Sequence, residues 1–594
     1  MNKFQLLLLV GVGGLLAFSG CGSEASETST VTFKHTDNTV YARLPAEPDL
    51  LNPLLTVSGY SRPIWEQIYQ PLLAFDTKTL EMIPALVTGQ AEINDITEGD
   101  YAEGATYTYE LRPEARWDNG EPVTVDDVIF TFKTSFNPSV PAAALRSYLE
   151  PMVDLRVDPD NPRRFTIVAY RKYLLADQVF GNMHVLPAYI FDPDGLMADI
   201  PLANIISGEL TDEQTANLSQ FAERIAQPEY SRDPAKVTGS GPYRLVSWEA
   251  GQYISLTKKD DWWGEFLADV NPSLAAHPDS LVFRLIPDQA ATIAAIKDEL
   301  VDAAAQLDPK DFTELKSNEF VLDHFQLLTP SAMQMYFLGL NNKDPLLSDL
   351  RVRRALAHLV DVDLIIESMF FGLAERMVGP FNPSRDYYNR DLRPIPYDLD
   401  EARRQLAEAG WEDTNGNGIV DKVIDGERRE LELDYLVPSA GRVGGNIAIL
   451  FQENAQQVGI KVNLLTREFR AMMQEVVDRN YQIYSGAMAQ DATVLDDPRQ
   501  LWHTESDTPS GTNRVGFGDA ESDALIDRIG STLDAESRLQ LYLEFQELVY
   551  NEQPMIFLLS PVERVVISKR FEASATELRP GFMVNTFKLV DLQQ

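Results

Sequence analysis

Two rhythms of apolar and polar positions divide the chain. Segments with apolar residues at every second position stand out in the first half, and the second half is richer in helical spacing of three to four. Val40-Tyr41-Ala42-Arg43-Leu44 alternates and predicts a strand, followed by a rigid loop from Pro45 to Pro53. Further strands are predicted over 107–111, 165–169, 243–247 and 254–258, each bounded by Gly, Pro or Asp-Asn turn residues. A short helix is predicted over 64–69. Beyond residue 290 the spacing turns helical, with Ile293, Ile296 and Leu300 on one face. A helix is predicted over 353–370, entered through Ser348-Asp349, whose side chains can accept the first free amides. Asp398-Leu-Asp-Glu401 has the form of a capping box and leads Ala402, Leu406 and Ala409 along one face to Gly410. Another helix, 537–551, stops before Pro554. Strands over 431–436 and 461–465 flank a helix over 445–458, which suggests an α/β lobe. No internal repeat is visible.

The N-terminus breaks both rhythms. Lys3 precedes an apolar stretch, Leu6 to Val10 and Gly11 to Phe18, which small residues close at Ser19-Gly20-Cys21. That is the layout of a secretory signal peptide, and it is short for a membrane span of about 20 residues. The segment resembles the lipobox of bacterial lipoproteins, with Phe18 where Leu is usual. Residues 1–20 are therefore expected to be removed, Cys21 to carry lipid, and 21–37 to form a polar tether. The expected location is the cell envelope, in the periplasm or on the outer face of the cytoplasmic membrane.

Composition narrows the picture further. A chain of 594 residues implies several domains with sizeable cores. Cys21 is the only cysteine, so no intramolecular disulfide can form. Net charge is −39, or −40 once Lys3 leaves with the signal segment. Such a chain repels phosphate backbones, which argues against nucleic acid as a partner. The acids are spread along the whole sequence and read as a solubilising coat, with an acidic funnel for cationic ligands as the alternative.

A series of blocks then occurs in order: Glu47-Pro-Asp-Leu-Leu-Asn52-Pro53, Tyr69-Gln-Pro-Leu-Leu-Ala-Phe-Asp76, and Tyr107 to Gly120 with Trp117-Asp-Asn-Gly120 at its end. Pro122-Val-Thr-Val-Asp126-Asp127, Gly239-Ser-Gly241-Pro-Tyr243 and Trp262-Trp263-Gly264 follow. Leu347-Ser-Asp349-Leu-Arg351-Val-Arg353-Arg354-Ala355-Leu356 and Glu408-Ala-Gly410-Trp411 complete the series. Together they resemble the family 5 extracellular solute-binding proteins, the peptide- and nickel-binding subunits of ABC importers, from about residue 40 to about 570. Most blocks are scaffold. Asp118-Asn119-Gly120 suits a hairpin turn, Thr124 with Asp126 and Asp127 suits a helix start, and Gly239 and Gly241 suit a tight turn before the strand at Tyr243.

The resemblance implies an α/β, two-lobed periplasmic-binding-protein-like fold with an extra domain in the first lobe and a hinge between lobes. Carried onto this chain, lobe I is 38–56, 236–287 and 560–594, the extra domain is 57–235, and lobe II is 288–559. The chain is expected to cross near Pro287-Asp288 and again near Leu559 to Pro561. A peptide cleft needs a carboxylate for the ligand's ammonium, and the position of that aspartate in peptide-binding relatives falls on Asp491. The Trp expected just before it is replaced by Ala487 or Met488, and the spacer to Pro498 is longer. An ordinary loop carboxylate is the alternative for Asp491. Glu47, Met488, Gln490, Tyr60 and Trp502 are the further ligand candidates.

Asp413-Thr-Asn415-Gly-Asn417-Gly418-Ile-Val-Asp421 spaces oxygen ligands like the start of a calcium loop but has Ile424 at the twelfth position instead of Glu. A structural calcium ion or a polar turn are both open readings, and no other cofactor is expected. The six histidines lack zinc-ligand spacing, and no HExxH, GxSxG or cysteine nucleophile is present. The resemblance thus implies no enzyme but a monomeric, lipid-anchored receptor that captures a peptide and delivers it to a membrane permease. The alternatives are the same fold holding an oligosaccharide or nickel chelate, and a surface sensor or adhesion lipoprotein without a transporter.

Overall fold

Thr39–Leu44, the first predicted strand, lies at the centre of a seven-stranded sheet. It runs parallel to Ser280–Leu285 on one side and to Ala303–Ala304 on the other. Tyr253–Lys258 and Tyr243–Glu249 extend one flank, Val565–Ser568 and Phe325–Leu328 the other, all antiparallel. The computed structural model describes residues 31–268, 271–439 and 442–591. The export segment and Cys21 lie outside the described residues, as does the start of the tether.

Burial follows the alternation: Val40, Ala42 and Leu44 are buried. Arg43 is buried too, and donates to the carbonyls of Ala305 and Ile286 at 2.7 and 3.0 Å, which satisfies its guanidinium away from water. A second buried cation ties three neighbouring strands of the sheet together, Thr39–Leu44, Ala303–Ala304 and Val565–Ser568. Arg570, 1% exposed, forms a two-pronged ion pair with Asp302 at 2.6 and 2.8 Å and donates to the carbonyls of Asp37 and Thr39.

A six-stranded sheet forms the second lobe. Gln334–Leu340 is paired antiparallel with Ile483–Ala489 and Met555–Pro561, and Ala374–Arg376 lies outside the latter. Glu432–Pro438 and Lys461–Arg467 are parallel, so they need a crossover. The helix Arg442–Gln457 supplies it and buries Ile447, Ala448, Phe451 and Ala455 against the sheet. The extra domain carries a four-stranded antiparallel sheet in the order Glu92–Asp95, Ala105–Glu110, Arg164–Ala169, Met152–Val157. Its core is continuous with that of the first lobe.

Four expectations change. Residues 288–328 were placed in the second lobe, but Ala303–Ala304 and Phe325–Leu328 are hydrogen-bonded into the first sheet. The chain therefore crosses between sheets at 329–333, not near Pro287-Asp288. The return is at 562–564, after the strand Met555–Pro561 ends. The single helix over 353–370 is two, Leu350–Ala357 and Val362–Phe370, because Asp361 caps the second by accepting from Leu364 N at 3.0 Å. Gly241 is needed for closeness: a Cβ there would lie 2.6 Å from the Gln67 carbonyl oxygen. The helix expected over 64–69 is a single turn, Arg62–Trp65, shifted towards the N-terminus. Thr124 and Asp127 form a capping box on Val125–Phe136, and Gly120 takes a positive φ of 85° in its turn.

Candidate functional site

A cleft of about 580 Å³ opens between the extra domain and the second lobe. Trp65, Phe75 and Tyr148 line it from the first side, Phe381, Met488 and Leu501 from the second. Its walls are mostly apolar, and its charged groups come from two short segments.

The first is the helix Arg62–Trp65, with Pro63 in its first turn where the absent N–H is no loss. Asp49 sets its start: the carboxylate accepts from Ser61 Oγ, Leu50 N and Val57 N, each at 2.8 Å, and from Thr56 Oγ1. Burial pushes that carboxyl up, but these four donors outweigh it and hold it at about 2. Arg62 then points into the cleft and pairs with Glu66 one turn on, Nε to Oε1 at 2.6 Å. Behind it, His184 packs edge-on against Trp65 at 4.7 Å, and its Nδ1 lies 3.0 Å from the Asn182 carbonyl. Burial, with Arg62 adding to it, pushes His184 down to about 3, so the imidazole is neutral.

The second segment is the loop after Ile483–Ala489. Arg385 shapes it by donating to the carbonyls of Asp491, Ala492 and Val494 at 2.7, 2.9 and 2.6 Å and to Asp496 at 3.1 Å. Tyr387, stacked on Tyr542 at 4.4 Å, donates to the same Asp496 carboxylate at 2.7 Å. Burial raises the Asp496 carboxyl despite Arg385. Asp491 stands at the cleft with its side chain 49% exposed. Burial pushes its carboxyl up, but Arg62 and the Thr493 hydrogen bonds prevail and lower it. Across the cleft, Arg62 Nη1 lies 3.6 Å from Asp491 Oδ2.

The structure brings Asp491, Met488, Gln490 and Trp502 to this cleft. Gln490 contributes little free polarity, since its amide donates to the Pro380 carbonyl at 3.1 Å and accepts from Asn382 at 3.3 Å. Trp502 is a core residue, 2% exposed and packed edge-on against Phe517. Glu47 and Tyr60 are not brought to the cleft. Glu47 accepts from Trp248 Nε1 at 3.0 Å beside a separate small recess, and the Tyr60 hydroxyl points to Gln306 at 3.5 Å. The aromatic wall missing before Asp491 is supplied from the opposite side by Trp65 and Tyr148. Arg62, Arg385 and Gln178, whose Oε1 accepts from Leu495 N at 3.0 Å, were not anticipated. No local motif marks them, because their contacts to the loop after Ile483–Ala489 come from residues more than 100 positions away.

In the 413–421 loop the side-chain oxygens are satisfied internally. Asp413 accepts from Gly416 N, Asn417 N and Gly418 N at 2.7, 3.2 and 2.9 Å. Asn415 and Asn417 accept from Asn417 N and Ile419 N, both at 2.9 Å, and Asp421 lies 3.1 Å from Arg428. Among the described residues no group of three or more His, Cys, Asp or Glu is arranged to hold a metal ion, and no helix is long and apolar enough to cross a membrane.

A family model described as bacterial extracellular solute-binding proteins, family 5 Middle, matches residues 83–512. The oligopeptide-binding protein AppA of Bacillus subtilis is 24% identical over 528 residues, covering 89% of this chain and 87% of its own length. The structure of AppA from Bacillus subtilis in complex with a nonapeptide is similar with a TM-score of 0.63 at 22% identity, over 93% of this chain and 99% of that one. HbpA2 from Haemophilus parasuis gives a TM-score of 0.73 at 19% identity, over 93% and 100% of the two chains.

Proposed function

The chain belongs to the bacterial extracellular solute-binding proteins of family 5, a solute-binding family and not an enzyme class, and on that premise we propose that it captures peptides for an ABC importer. The observation that carries this reading is the cleft itself: an apolar space between two lobes with a half-exposed carboxylate, Asp491, at its edge. Peptide side chains gain free energy on entering such a space without needing specific partners. The peptide's ammonium requires a carboxylate, because a charge taken from water unpaired is costly. Asp491 meets that need.

Capture proceeds by closure of the lobes about the 329–333 and 562–564 crossings, with no chemistry on the ligand. Ligand binds the closed form better and shifts the population towards it. The closed receptor then meets a membrane permease, held near it by lipid on Cys21 and the polar tether.

Native mass spectrometry of the protein, purified from cells and then mixed with peptides, tests the reading. Peptides bind the wild type, and Asp491→Asn weakens them by about 30-fold or more, as expected for removing one partner of a desolvated charge pair. Equal affinity of the two proteins would sink the assignment of Asp491.

A further inference from the structure

The contact between Arg62 and Asp491 crosses the cleft, and at 3.6 Å it is too long for a good hydrogen bond. Asp491 Oδ1 already accepts from Thr493 N at 2.9 Å and Thr493 Oγ1 at 2.6 Å. Oδ2 is the oxygen left to face Arg62. The arginine does not depend on this contact for its position, because Glu66 holds its Nε at 2.6 Å and Asp49 braces the turn that precedes it. Both side chains stay open to the cleft, 31% and 49% exposed. Of the other groups near Asp491, His184 is neutral and Arg385 is committed to Asp496 and three carbonyls.

We propose that Arg62 is an internal competitor for Asp491: it fills the position of a ligand's cation, and a ligand ammonium reaches Oδ2 only by displacing it. Displacement leaves Arg62 with Glu66 as a partner, so the exchange strands no charge. Arg62 thereby sets the selectivity of the cleft. A lone amine gains little by replacing one cation with another, whereas a peptide that also buries apolar side chains against Trp65, Tyr148 and Phe381 gains enough to displace the arginine. This inference rests on Asp491 as the ammonium partner.

Trileucine and N-acetyl-trileucine serve as probes in calorimetric titrations of the full protein. Arg62→Gln binds trileucine about three- to fivefold tighter than wild type, the scale of an exposed ion pair removed from the free state. Arg62→Met, which keeps the alkyl stem, shows the same gain. The acetylated peptide, lacking the ammonium, shows none, and the gain disappears on an Asp491→Asn background. Weaker or unchanged binding of trileucine by both Arg62 variants overturns the competitor role while leaving the peptide reading intact. Failure of trileucine to bind wild type and variants alike overturns both.

Discussion

Leu174 offers a way to read the lobe motion from one side chain. By chain order it belongs to the extra domain, yet it is 4% exposed within an apolar cluster built mainly from second-lobe residues. Its amide donates to the Gly530 carbonyl at 3.0 Å, and nearby Leu495 N donates to Gln178 Oε1 at 3.0 Å. If the lobes part, Leu174 leaves the cluster and meets water. Full burial of a leucine is worth about 1.5–3 kcal/mol, so Leu174→Ala removes about 2 kcal/mol from the closed form alone. At 1.4 kcal/mol per factor of ten, the balance moves about 30-fold towards the open form. Small-angle scattering would record a larger radius of gyration for the variant at limiting peptide, and calorimetry a peptide affinity reduced by up to the same factor. The thermal midpoint moves little, because each lobe keeps its own core. A variant with unchanged radius and affinity but a midpoint several degrees lower would show that Leu174 is buried in every state, and the reasoning would fail.

Two further outcomes follow from charges described above. Arg570→Met leaves Asp302 buried and unpaired and lowers stability by about 3–5 kcal/mol in chemical denaturation; a loss below about 1 kcal/mol would contradict the role given to the pair. Asp49, held at about 2 against an ordinary 3.8, supports the folded state fully above the higher value and loses that support as pH falls towards the lower. The stability advantage of wild type over Asp49→Asn therefore shrinks on acidification between these values, and an advantage that grows with acid would refute the assignment.

What could be read from the chain was local. The alternation at Val40 to Leu44 and the Thr124 capping box each involve residues a few positions apart and form as expected; Asp398 caps its helix, but Glu401 pairs with Arg404 instead of reaching back to close the box. The boundary at residue 288 was misplaced because Ala303–Ala304 is two residues long and too short to show a period. The break between Leu350–Ala357 and Val362–Phe370 was hidden because buried Leu359 and Val360 continue the apolar spacing across it. The cleft was half legible. Asp491 came from resemblance, but Arg62 lies more than 400 positions away and only folding makes the two neighbours. Glu47 and Tyr60 lie away from the cleft for the same reason in reverse, since nothing local reveals that Glu47 meets Trp248 and Tyr60 meets Gln306.

The clamp between Arg570 and the first strand also says something about the order of assembly. Arg570 bonds the carbonyls of Asp37 and Thr39 across 533 and 531 positions, and the strand Thr39–Leu44 needs partners from 280–285 and 303–304. The earliest part of the chain to emerge from a ribosome or a translocation channel is thus among the last to find its place. Contacts so distant close slowly. The first lobe stays unfinished until residue 570 arrives, whereas the six-stranded sheet of the second lobe has all its strands by residue 561.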